Sequence, residues 1–120
     1  MRIYVAGPYS SSDQTTRNGN VEQAMAAGLA LLENGHLPFI PHLSHLFDQW
    51  AQQQGIAIPY ETYLTWDAAF LECCDGLLYL GPSPGADREL EYAVRLGLPI
   101  YSRLSGLPAP VSWSLSAGPR

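Results

Sequence analysis

The chain is poor in the features that would place it quickly. It has two cysteines, Cys73 and Cys74, and they are adjacent, so no disulfide framework can come from them. Charged residues make up 14% of 120 positions, six basic against eleven acidic, with no basic run. That argues against a duplex nucleic-acid partner while leaving room for a small phosphate held by loop N–H groups. No apolar stretch is long enough to span a membrane, and the first residues read as a strand rather than a signal peptide. The expectation is a cytoplasmic chain with no membrane partner. GxGxxG after the first strand and Walker A are both missing, which removes the dehydrogenase and P-loop kinase readings.

What is present is a globular composition, 47% apolar, sized for one domain. Arg2–Ala6 reads as a strand broken by Gly7-Pro8, and a strand in this position is expected at the centre of the sheet. Tyr9–Asn20 is polar and reads as a loop, either flexible or ligand-binding through Ser10, Ser11 and Ser12. Val21–Glu33 has helical periodicity, with Asn18 or Asn20 as its cap and Asn34-Gly35 as its stop. Leu37–Ile40 is a short strand whose Pro38 favours an edge or a strand start. In Pro41–Ile58, Leu43, Leu46, Phe47 and Trp50 suggest an amphipathic helical turn, with a loop from Ala51. His42 and His45 are there, and pairing, packing or substrate contact by one of them is expected over a metal. Pro59–Cys74 is a helix, Gly76–Leu80 a strand, Asp87–Leu96 a helix and Ile100–Tyr101 a strand. The cysteines read as small apolar fillers.

This order predicts an α/β, Rossmann-like (flavodoxin-like) three-layer sandwich on a parallel sheet of four to five strands, with right-handed crossovers. Residues 1–102 form the domain. Residues 103–120 form a tail docked on the domain or on a neighbouring subunit through Trp113.

Two carboxylates fall where periodicity predicts burial. Glu89 shares the stripe of Tyr92, Ala93 and Leu96, whereas Glu91 faces Arg95 one turn on, as in an exposed salt bridge. Asp67 lies in the stripe of Tyr63, Leu64, Leu71 and Cys74. A buried carboxylate is costly unless paired or used. Pairing of Asp67 with Arg2, Arg17 or a tyrosine hydroxyl is the alternative to use. Two on helices flanking one strand would repel and titrate apart, one as acid and the other as nucleophile or base.

At these residues the chain resembles the nucleoside 2-deoxyribosyltransferase superfamily, including the deoxynucleoside 5′-monophosphate N-glycosidases and their short relatives. The match runs from Arg2 to about Tyr101. It rests on IYVAGPYS (Ile3–Ser10), on Asp67 and Asp75 around AAFLECC, and on SPGADRELEYA (Ser83–Ala93). The resemblance implies cleavage of an N-glycosidic bond in a nucleoside or nucleoside 5′-monophosphate, hydrolysis favoured over transfer between bases. A non-catalytic nucleotide-binding or sensor module is the reading from another class. It implies Glu89 as nucleophile, Asp67 assisting the leaving base and Tyr4 orienting Glu89. Gly7, Ser10, Ser83 and Gly85 would bind substrate, with no cofactor and no metal. Ser83 stands where monophosphate hydrolases carry a phosphate-contacting Ser and free-nucleoside transferases an Asp. Pro8, however, replaces a polar residue of those hydrolases, and the first loop departs from their arginine-and-glycine pattern. The resemblance also implies a homodimer or larger assembly, with a tail such as Ser112–Ser114 near a neighbour's site.

Overall fold

The computed structural model describes residues 1–108. The elements are β1 (Arg2–Ala6), α1 (Gln14–Glu33), β2 (Leu37–Phe39), a 3-10 turn (Pro41–Leu43), α2 (Ser44–Gln53), α3 (Tyr60–Leu71), β3 (Gly76–Tyr79), α4 (Pro84–Arg95) and β4 (Ile100–Tyr101). The four strands are all parallel and lie in the order β2-β1-β3-β4. The α/β, Rossmann-like architecture is thus as the element order predicts, with β1 inside the sheet and the proline-bearing β2 at its edge.

Alternation along β1 builds the two cores. Ile3 and Val5 point to one face and pack with Ala24 and Leu31 of α1. Tyr4 and Ala6 point to the other and pack with Leu71, Cys74 and Ala93, from α3, just beyond it, and α4. Leu104 and Leu107, at the start of the expected tail, join the α1-side cluster. The expected contacts of Ser112, Trp113 and Ser114 lie outside the described residues.

Several boundaries differ from the sequence reading. The polar stretch after β1 is helical from Gln14, seven residues before the expected start at Val21. Asp13, not Asn18 or Asn20, is the cap, taking the Thr16 N–H at 3.1 Å and the Thr16 hydroxyl at 2.6 Å. A first turn without apolar residues hides from periodicity, because it contributes no buried face. Helix α2 runs on to Gln53, past the expected loop start at Ala51, which is buried. Helix α4 begins at Pro84, not Asp87, because Ser83 caps it. Helix α3 ends at Leu71. Cys74 then fills the core as expected, but Cys73 is exposed.

Among the described residues Glu91 and Arg95 form no ion pair. The Arg95 guanidinium lies 5.7 Å from the Tyr92 ring centre instead. Helices α2 and α3 also leave Phe47, Trp50, Trp66 and Phe70 exposed, a larger apolar face than scattered surface residues would make. No described helix is long and apolar enough to cross a membrane.

Candidate active site

Order β2-β1-β3-β4 makes β1 and β3 neighbours although α1, β2, α2 and α3 separate them in the chain. Chain direction across the sheet reverses between them, and in parallel sheets a crevice opens at that point beyond the carboxyl ends of the strands. A cavity of about 640 Å³ lies there, within the range of small-molecule sites. It is lined from the β1 loop by Gly7, Tyr9 and Ser10, from α2 and the turn before it by His42, His45 and Asp48, and from α3 by Tyr60, Tyr63 and Asp67. Ser83, Gly85, Arg88 and Glu89 close it from α4. Six of the seven expected site residues therefore face one space. The seventh, Tyr4, is buried beneath it and touches Glu89.

The capping of α4 sets the position of Glu89. The Ser83 side chain accepts the Ala86 N–H at 3.0 Å, and Pro84 occupies the first turn, where its missing N–H costs nothing. Two turns on, Glu89 faces the sheet, where the Tyr4 hydroxyl donates to its Oε2. Burial, and then the nearby Glu89 and Asp67 charges, hold the Tyr4 phenol far above its ordinary range. It is therefore a fixed proton donor to Glu89.

Both carboxyls are half-buried. Burial pushes Glu89 up to about 7, the Tyr4 hydrogen bond opposing and the Asp67 charge adding to the shift. Burial pushes Asp67 up to about 6. The basic partners considered for Asp67 are engaged elsewhere. Arg2 pairs with Asp75 at 3.0 Å, and Arg17 donates to the Ser11 carbonyl at 2.5 Å. Asp67 forms no hydrogen bond among the described residues, so the pairing alternative is not what the fold adopts.

The Asp67 and Asp75 pair thus divides. Asp75 takes the backbone N–H of Arg2 at 2.8 Å and its guanidinium at 3.2 and 3.0 Å, tying the starts of β1 and β3 together. That end of the sheet is opposite the cavity.

The β1 loop is shaped by contacts that the sequence did not signal. A Cβ on Gly7 would lie 3.0 Å from the Leu80 side chain, so any larger residue at this turn would press on the end of β3. His42 Nε2 donates to the Gly7 and Pro8 carbonyls, each at 3.1 Å, and the Tyr9 hydroxyl meets His45 Nδ1 at 2.5 Å. The two histidines therefore pair with the loop, one of the roles expected of them. Ser10 remains exposed on the cavity rim with no hydrogen bond among the described residues.

Tyr9, Asp48 and Arg88 were not singled out in the sequence. Asp48 accepts from the Tyr63 hydroxyl and from Gln52 Nε2, both at 2.7 Å. Burial and this carboxylate push the Tyr63 phenol up to about 12. Arg88 donates to the Tyr60 hydroxyl at 3.2 Å. The one signal available for Asp48 was its spacing, three residues after His45 on a helix.

A family model described as a domain of unknown function, DUF7768, matches residues 1–103. No curated protein matches the chain.

Proposed function

The chain belongs to the DUF7768 family, and on the chemistry of its own cavity we propose that it cleaves the N-glycosidic bond of a nucleoside or nucleoside 5′-monophosphate, with hydrolysis favoured over transfer between bases. One observation carries the reading: two half-buried carboxyls, Glu89 and Asp67, face a single nucleoside-sized cavity without a cationic hydrogen-bond partner, and a buried phenol donates to one of them. Structural carboxylates acquire cationic partners; carboxyls left raised and without a cation in a cleft suit acid–base or nucleophilic work.

In this reading an ionised Glu89 oxygen attacks the anomeric carbon as the bond to the base nitrogen breaks, its electron pair leaving with the base. Protonated Asp67 supplies the base with a proton. The transition state is oxocarbenium-like, so a carboxylate below the sugar and an acid at the leaving group both lower the barrier. Water then attacks the glycosyl–Glu89 ester, loses its proton to the Asp67 carboxylate and frees the sugar. Tyr4 orients Glu89 and shares its charge. A value of about 7 leaves roughly half of Glu89 ionised at neutral pH. Bound base that excludes water from Asp67 raises its protonated fraction. The test is release of free base from a panel of nucleosides and 5′-monophosphates, with and without a second base, beside a Glu89 variant. New nucleoside formed only with the second base assigns transfer.

A second reading is a nucleotide-binding module without turnover, since the same cavity can hold a nucleotide without cleaving it. Binding unaffected by Glu89→Gln, with no free base from any substrate, would select it.

A 5′-phosphate is proposed at the start of α4. Ser83 Oγ accepts a backbone bond and keeps its own O–H to donate, and the first turn of α4 adds partial positive charge. Ser83→Asp retains the cap and sets a carboxylate against the phosphate. We expect it to lower kcat/KM for the monophosphate by about 100-fold relative to the nucleoside, from loss of one charge-assisted bond and added repulsion. An unchanged ratio overturns the phosphate site.

We also propose a homodimer or larger assembly, supported by the exposed Phe47, Trp50, Trp66 and Phe70. Light scattering should give the mass of two or more chains; a single-chain mass overturns it.

A further inference from the structure

The α2 wall of the cavity holds a polar arrangement that neither proposed catalytic step uses. Asp48 is fixed from two sides, one oxygen taking the Tyr63 hydroxyl and the other the Gln52 amide. No cation pairs with it among the described residues. Each carboxylate oxygen has a second lone-pair direction, and a carboxylate can only accept. Both held oxygens belong to a residue that lines the cavity. One turn earlier on the same helix, His45 also lines it, with Nδ1 engaged by Tyr9. With the Tyr9 hydroxyl donating to Nδ1, the imidazole hydrogen would sit on Nε2, which makes no hydrogen bond among the described residues. The wall therefore offers an acceptor and a donor side by side.

In the nucleoside reading this wall is on the leaving-group side: Tyr63, which holds Asp48, stands one turn before Asp67 on α3, the group that would protonate the departing base, whereas the proposed phosphate position is at the start of α4. A base seated there would turn its hydrogen-bonding edge toward α2.

We propose that Asp48 selects a base carrying an exocyclic amino group, with His45 donating to the ring nitrogen or carbonyl beside it. The inference rests on the nucleoside reading above. A keto group in the place of the amino group would point its lone pairs at the carboxylate. Recognition by a fixed, partly buried acceptor discriminates strongly against a ligand that lacks the donor, because the acceptor is then desolvated without a partner. Tyr63 and Gln52 act as positioning residues.

The test uses the full chain carrying Glu89→Gln, so that ligands bind without turnover. Calorimetry compares 2′-deoxycytidine with 2′-deoxyuridine and 2′-deoxyadenosine with 2′-deoxyinosine, each also as the 5′-monophosphate. The amino member of at least one pair should bind 10-fold or more tightly, at about 1.4 kcal/mol per tenfold. Asp48→Asn, whose amide can donate or accept, should bring that ratio within about threefold. A ratio near one in the parent, or a ratio that Asp48→Asn leaves intact, overturns the inference while the nucleoside reading stands. Failure of all eight ligands to bind overturns both. If Asp48→Asn does not fold, Tyr63→Phe decides: it frees one side of the carboxylate and should reduce the ratio severalfold, and an unchanged ratio overturns the proposal.

Discussion

Replacing Glu89 with glutamine is expected to lower kcat on the best substrate by at least about 10³-fold while substrate affinity changes by less than about threefold. The substitution is nearly isosteric. The Tyr4 hydroxyl can donate to the amide oxygen as it does to the carboxylate, so the core beneath the cavity should hold. What is lost is the pair of electrons that forms the glycosyl ester, and no other carboxylate among the described residues is hydrogen-bonded to Tyr4 to replace it. Asp67 lies across the cavity on α3 and is assigned to the leaving group. Because the nucleophile acts only after binding, the loss should fall in kcat, not in affinity. Free-base release measured by chromatography, with binding followed separately, divides the outcomes. Equal loss in both terms would mean that the variant disturbs the cavity. Undiminished release would remove Glu89 from the chemistry.

The same substitution should stabilise the protein, and more so as pH rises. Glu89 titrates at about 7 in the folded chain against an ordinary value of 4.5, with burial the main cause. A raised folded value means that folding favours the protonated form. The stability this confers is fully present below about 4.5 and is lost as pH rises through about 7. At about 1.4 kcal/mol per pKa unit, the buried charge costs the wild-type chain about 3 kcal/mol at pH 8. Glutamine carries no charge at any of these pH values. The variant should therefore exceed wild type by about 3 kcal/mol at pH 8, near 10 °C in Tm for a domain of this size, and by less than about 1 kcal/mol at pH 5. Asp67, raised to about 6 by burial, contributes its own slope to both proteins, and its charge enters the comparison only as a smaller cause of the Glu89 shift. Thermal unfolding of the pair at pH 5 and pH 8 is the measurement. Equal differences at the two pH values would mean that Glu89 is solvated in the folded state. This result does not depend on any substrate, so it checks the geometry even if the reaction is another one. An active-site carboxylate that destabilises its own fold fits the usual trade between stability and function.

The legible part of the site was the part carried by helix periodicity. Spacing alone placed Glu89 and Asp67 on buried stripes, and both proved half-buried and cavity-facing. Periodicity failed where a helix turn had no apolar face to show, as at Gln14–Asn20, and where a helix end depended on one hydroxyl, as at Ser83. It was also silent on partners. Glu91 and Arg95 had the right spacing for a surface pair, yet exposed spacing carries little energy and the arginine lies beside Tyr92. Asp75 resembled a site residue by its distance from Asp67, but the strand pairing turned it toward Arg2.

By itself the sequence determined the elements: four short apolar runs, the Gly and Pro breaks between them, and the two carboxylates that could not sit comfortably on their stripes. These are local properties, set by a backbone geometry that repeats every two or every 3.6 residues. Tertiary structure decided which residues meet. Tyr4 reaches Glu89 across 85 positions, and Tyr9 reaches His45 across 36, only because β1 and β3 lie side by side and α2 folds back over the loop between β1 and α1. Contacts at that separation follow from how whole faces are buried against each other, and no short window of sequence contains that information.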